Sequence, residues 1–185
     1  MVRLRVRIHG LPEDGKTVAP FFVAKEIRMP VDTKTVTGRR VLRFESLDDI
    51  LSELASLEGK QLKTLGNWSA GQILAHVAVP MNAAIDGMKF AVPWYIRTFA
   101  RLFKKKILSG TAPPGFKLPK AAEAELIPGP TSVEEGLAAV RKAINRLKTE
   151  SHREPSHFLG PLTVEEWNQL NCRHCELHLS FIVPE

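Results

Sequence analysis

Four stretches of the chain repeat apolar residues at helical spacing, and a capping pair stands before each. Leu47, Ile50, Leu51, Leu54 and Leu57 follow Ser46 and Asp49, and Gly59 closes the run. Ser69 and Gln72 open a second stretch that reaches about Met88. Ser132 and Glu135 precede Val133, Leu137, Val140, Ile144 and Leu147, and Thr163 with Glu166 precedes a stripe reaching about Ile182. In each pair the first side chain accepts from an orphan amide of the first turn, and the acid or amide three residues on reaches back to another. Pro80 lies inside the second stretch, where its missing amide proton should kink the helix. Four capped, striped segments predict an all-α fold, with a four-helix bundle as the architecture.

The remaining sequence is punctuated differently. Residues 1–32 carry Pro12, Gly15, Pro20 and Pro30 and read as an irregular N-terminal extension to a domain over 33–185. Short β-like runs occur at Val2–Ile8, Phe21–Val23 and Val41–Phe44. A long crossover separates the second and third bundle helices. Its first part mixes Trp94, Tyr95, Ile96, Phe99, Leu102, Phe103, Ile107 and Leu108 with five cations, which describes a basic amphipathic helix. Such a helix suits an anionic membrane surface, although packing across the bundle with its lysines in water is the simpler expectation. The second part holds Pro113, Pro114, Gly115, Pro119, Pro128 and Pro130 and reads as loop.

Charge narrows the function classes. The net charge is +6, but residues 1–28 carry +3 and residues 97–106 carry +5, which leaves −2 for the rest. A body this close to neutral lacks the basic face of a nucleic-acid protein, so no nucleic-acid partner is expected. The longest apolar runs fall short of a membrane span, and two cysteines cannot build a disulfide scaffold. With no secretory leader visible, a cytoplasmic protein without membrane insertion is expected.

The chain has no G-x-G fingerprint, Walker loop or nucleophile elbow. It does place histidines on apolar faces. His174 and His178 stand four residues apart, about 40° from each other around a helix. Trp167, Leu170, Leu177 and Phe181 fall on the same stripe. His76 shares its face with Ile73, Val79, Pro80 and Ala83. Buried imidazoles need partners for both nitrogens and charge at high cost. A divalent ion resolves both problems, taking one lone pair from each neutral ring. Ligands about 2.0–2.1 Å from one ion stand roughly 3–3.5 Å from each other. The protease pattern H-E-x-x-H is absent: Cys175 follows His174, and Glu176 points about 160° from the histidine pair. Cys172 and Cys175 lie deep in the helix, away from the dipole that activates redox pairs.

The run from Trp68 to His76, together with Arg173-His174 and Glu176-Leu177-His178-Leu179, resembles the DinB-like superfamily of metalloenzymes, in one of its uncharacterised branches. Gly66–Ser69, Asp86-Gly87, Gly115–Pro119 and Phe158–Thr163 add to the resemblance, which spans about residues 33–182. It implies a four-helix bundle with one long crossover and a divalent metal, nickel or zinc, on His76, His174 and His178. It also implies relatives that use a low-molecular-weight thiol as co-substrate, act on small molecules and often form homodimers. The expected function is a metal-dependent thiol S-transferase, with Gln72 and Asn67 as candidate substrate-positioning groups. A metal-binding protein without catalysis, and a metal-dependent hydrolase, are the alternatives.

Overall fold

All four capping pairs close reciprocally in the computed structural model, which describes residues 30–115, 122–123 and 126–185. The order of elements is α1 (Leu47–Leu57), β1 (Leu62–Thr64), α2 (Ala70–Asp86), α3 (Trp94–Leu102), α4 (Lys104–Ser109), α5 (Val133–Thr149), α6 (Val164–Leu179) and β2 (Ile182–Pro184). The fold is mainly α. One core is shared by Ile50 and Leu54 of α1, Leu74 and Met81 of α2, Leu137 and Ile144 of α5, and Trp167 and Leu179 of α6. The most extensive pairing is α2 against α5, followed by α2 against α6.

Two glycines let α2 and α5 approach. A Cβ on Gly71 would lie 2.0 Å from the Thr131 carbonyl oxygen, and one on Gly136 would lie 2.6 Å from Cβ of Leu74. Neither a backbone carbonyl nor a Cβ bonded directly to the backbone can swing away. Gly71→Ala is therefore expected to lower stability by about 1–3 kcal/mol through overpacking, even though alanine favours the helix by roughly 1 kcal/mol. Thermal melts check this; a variant as stable as the parent would remove the crossing as the cause.

The structure differs from the sequence reading at the element ends. Helix α2, with Pro80 inside it, stops at Asp86 rather than near Met88, and Gly87 takes φ 75°. Helix α6 stops at Leu179 rather than near Ile182. Ile182–Pro184 instead pairs antiparallel with β1, Leu62 facing Pro184 and Thr64 facing Ile182. The β-branched Ile182 and Val183 favour the ladder, and Pro184 could not have continued a helix. Val41–Phe44 is not a strand. Its backbone is held by side chains of α6 instead, as described below.

Residues 30–45 have no regular structure but are tied to the body. Asn67 clamps Val31, accepting from its amide at 2.7 Å and donating to its carbonyl at 2.9 Å. The Arg40 guanidinium donates to the Ile182 carbonyl at 2.6 Å and pairs with Glu53. The extension up to Met29, with its runs Val2–Ile8 and Phe21–Val23, lies outside the described residues, as does most of Gly115–Pro119.

The crossover packs on the body through α4, which meets α6, buries Leu108 and pairs Lys104 with Glu166, whereas α3 is mostly exposed. Of the nine residues of α3 only Ala100 is buried, while Trp94, Tyr95, Phe99 and Leu102 are exposed.

Candidate metal centre

The second turn of α2 and the C-terminal half of α6 face each other across the core, and three imidazoles meet there. His76, His174 and His178 each offer a ring nitrogen within 4.8 Å of the others. Ring centroids are 4.4 Å apart for His76 with His178 and for His174 with His178, and 5.0 Å for His76 with His174. The capping box at Ser69 fixes where α2 begins and hence the direction of His76. The four-residue spacing on α6 stacks the other two one turn apart. The 4.8 Å bound on the nitrogens spans the roughly 3–3.5 Å expected of ligands drawn onto one ion.

Each ring is prepared differently. Nδ1 of His76 stands 2.6 Å from the Leu126 carbonyl oxygen. A carbonyl only accepts, so Nδ1 carries the proton and Nε2 keeps its lone pair free for a ligand. Nδ1 of His174 is buried with no hydrogen-bond partner among the described residues, a rare condition for a buried polar atom and one that a cation would relieve if it took that lone pair. Trp68 roofs the group, its ring 4.7 Å from His76 and stacked at 15° and 6.0 Å on His178.

Burial holds all three imidazoles below their ordinary pKa. For His76 desolvation outweighs the opposing hydrogen bond to Leu126. His174 falls to about 3, through desolvation and then its neighbour His76. His178 is also pushed well down, by desolvation, the other two rings and the Arg39 cation. The rings are therefore neutral at pH 7, the state a metal requires.

The sign of the resulting pH dependence follows. A depressed histidine makes the unfolded chain the better proton acceptor as pH drops below the ordinary value near 6.5. Stability is complete above that pH and is lost from there downward, for His174 toward about pH 3. The melting temperature is expected to be flat from pH 7 to 8 and to fall steadily below about pH 6.5. The fall should be shallower in His174→Gln. An equal slope in that variant would assign the acid sensitivity elsewhere.

The other residues singled out from sequence are committed to structure. Gln72 Oε1 accepts from the Ser69 amide and Nε2 donates to the Pro128 carbonyl at 3.2 Å. Asn67 spends its amide on Val31. Cys172 and Cys175 are buried; burial raises the Cys172 thiol to about 12 and the Cys175 thiol far up as well, so both are protonated and inert.

Three groups at or behind the centre have no signature in the sequence. Arg39 comes from the irregular lead-in. Its Nε and Nη2 donate to Ser180 Oγ at 3.0 and 2.8 Å, its guanidinium lies 4.4 Å from the Phe181 ring centroid, and its charge is felt at His178. On the far side of α6, Arg173 and Glu176 form an ion pair of 2.9 Å with both side chains 4% exposed. Glu176 accepts from the Phe44 amide at 2.6 Å, and Arg173 donates to the Phe44 carbonyl. Glu176 thus points away from the histidines, and the H-C-E-L-H run is no protease site. Its hydrophilic partners were masked by spacing that looks like a solvated i, i+3 pair.

A mainly α protein with three neutral, converging imidazoles could hold a divalent ion. Residues 36–185 match the family described as protein of unknown function (DUF1569), and the chain belongs to that family. No curated protein and no solved structure matches the chain.

Proposed function

We propose that the protein is a metal-dependent enzyme of the DinB-like type, a four-helix bundle of α1, α2, α5 and α6 that carries a divalent ion on His76, His174 and His178. The observation that carries this reading is the convergence of three neutral imidazoles from two helices, one of them set by a backbone carbonyl to present Nε2. Three neutral ligands suit nickel or zinc and preserve the ion's charge. When bound, the ion supplies positive charge that favours the thiolate form of an incoming thiol.

The reaction we propose is thiol S-transfer to a small electrophile. The chain's own thiols are buried and protonated, so the nucleophile must be a low-molecular-weight thiol from solution. Arg39, anchored by Ser180 and set beside His178, is suited to orient an acidic group on that thiol. Trp68 shields one side of the centre from water. Neither Asn67 nor Gln72 is needed for this arrangement.

The test is turnover of a haloarene or an epoxide by protein reconstituted with zinc or nickel. The rate is expected to require both ion and thiol, because a free thiol is only a few per cent thiolate at pH 7. Arg39→Ala should raise KM for a carboxylated thiol more than it lowers kcat, and Cys172→Ser should leave the rate unchanged. If no thiol in a broad panel gives a rate while the ion stays bound, the transferase reading falls and a non-catalytic metal protein stands.

A further inference from the structure

The crossover helices pose a separate problem. Around α3 the two residues that meet the body, Ile96 and Ala100, stand about 40° apart. Trp94, Tyr95 and Leu102 lie within about 60° of the direction opposite them, with Thr98 between, and Phe99 lies on the flank about 80° from the body side; all four apolar residues are exposed. Trp94 is 76% and Leu102 78% exposed. Phe103 and Ile107 carry the same apolar surface on to α4. A contiguous apolar face of this kind marks an interaction site rather than ordinary surface.

The charges beside it are of one sign. Arg97, Arg101, Lys104, Lys105 and Lys106 include no acidic neighbour between them in sequence. Lys104 is paired with Glu166 at 2.7 Å, and Arg101 packs over the turn at Gly160. Arg97, Lys105 and Lys106 are exposed and make no ion pair with a described residue. Two copies of this face would bring like charges together, which opposes self-association. A surface of anionic headgroups over hydrocarbon complements both parts, because aromatic rings and leucine sit at the acyl boundary while lysine and arginine reach the phosphates.

We infer that α3 and α4 form an in-plane docking face for an anionic lipid bilayer, with Trp94, Tyr95, Phe99 and Leu102 inserted at the interface and Arg97, Lys105 and Lys106 on the headgroups. Docking is peripheral and reversible: no described helix is long and apolar enough to cross a membrane. The inference is independent of the metal centre.

Flotation of the full chain with phosphatidylcholine vesicles, with and without phosphatidylserine, tests it. Binding is expected only with phosphatidylserine, with loss on raising salt and a blue shift in emission that Trp94→Phe removes. Trp94→Ser/Phe99→Ser/Leu102→Ser should abolish flotation, and Lys105→Glu/Lys106→Glu should weaken it about tenfold or more. All five side chains are exposed, so the melting temperatures of these variants should match the parent. Absence of flotation would overturn the inference. So would flotation unaffected by both variants, which would assign it to other cations of the chain. A dimer in sedimentation equilibrium that buries Trp94 and does not float would assign the face to a second copy.

Discussion

His174→Ala/His178→Ala is expected to lose its divalent ion altogether, while circular dichroism still reports the parent helix content. The parent, loaded with zinc or nickel and desalted, should retain about one equivalent by elemental analysis, as a site of three protein ligands requires. Deleting two of three ligands leaves His76 alone, and a single imidazole cannot compete with water for a labile ion. Loss of an outer partner of a ligand already costs about 10–100-fold in affinity, so the loss of two ligands should exceed that range. Helix content is insulated because His174 lies inside α6 and His178 in its last turn, while the capping box and apolar contacts of the helix remain. His76→Ala should behave similarly, since the remaining pair comes from a single helix. An ion retained undiminished in the double variant would show that the three rings are not its ligands.

The second large effect is expected on the opposite face of the same helix. Glu176→Ala removes the carboxylate paired with the buried Arg173, whose Nε and Nη1 lack partners among the described residues. It also strips the Phe44 amide of its acceptor. Breaking a buried ion pair from one side costs about 3–5 kcal/mol, because the surviving charge stays desolvated. For a domain of this size that corresponds to a fall in melting temperature of roughly 6–20 °C. Arg173→Met/Glu176→Leu should recover much of the loss, since a matched apolar pair dispenses with the desolvation of both charges. Glu176→Gln should lie between, keeping an oxygen for Phe44 but not the charge. A melt of Glu176→Ala within about 2 °C of the parent would mean that water reaches Arg173 and that the pair is not structural.

These two faces of α6 show what the sequence made readable. The histidine face was legible because its elements are local: a capping box sets the helix start, and the i, i+4 spacing sets the shared direction of His174 and His178. That His76 joins them needed only the apolar stripes of two helices to meet. The Arg173–Glu176 face was not legible, because nothing in an i, i+3 ionic pair distinguishes a surface pair from one covered by a distant segment. The cover is the lead-in at Phe44, about 130 residues earlier in the chain. Arg39 and the β1–β2 ladder were hidden for the same reason. The ladder joins Leu62–Thr64 to Ile182–Pro184, three-residue pieces too short to show periodicity. In α3 the apolar and basic pattern was plain, but pattern alone could not say which apolar arc turned toward the body.

The position of the three histidines along the chain would make an ion bound there a reporter of topology. His76 and His174 are separated by about 100 residues, so no local segment contains the full set, and the ligands are gathered only after α2 and α6 have docked. Contacts this distant in sequence form late and slowly, because a long loop must close before they contribute. An ion held by these rings would act as a clasp: it would bind the native arrangement and not the open chain, and its concentration would set how far the equilibrium is drawn toward the closed form. During refolding, uptake of zinc or nickel should therefore lag helix formation and coincide with burial of Trp167, giving a clock for the moment at which the two halves of the chain meet.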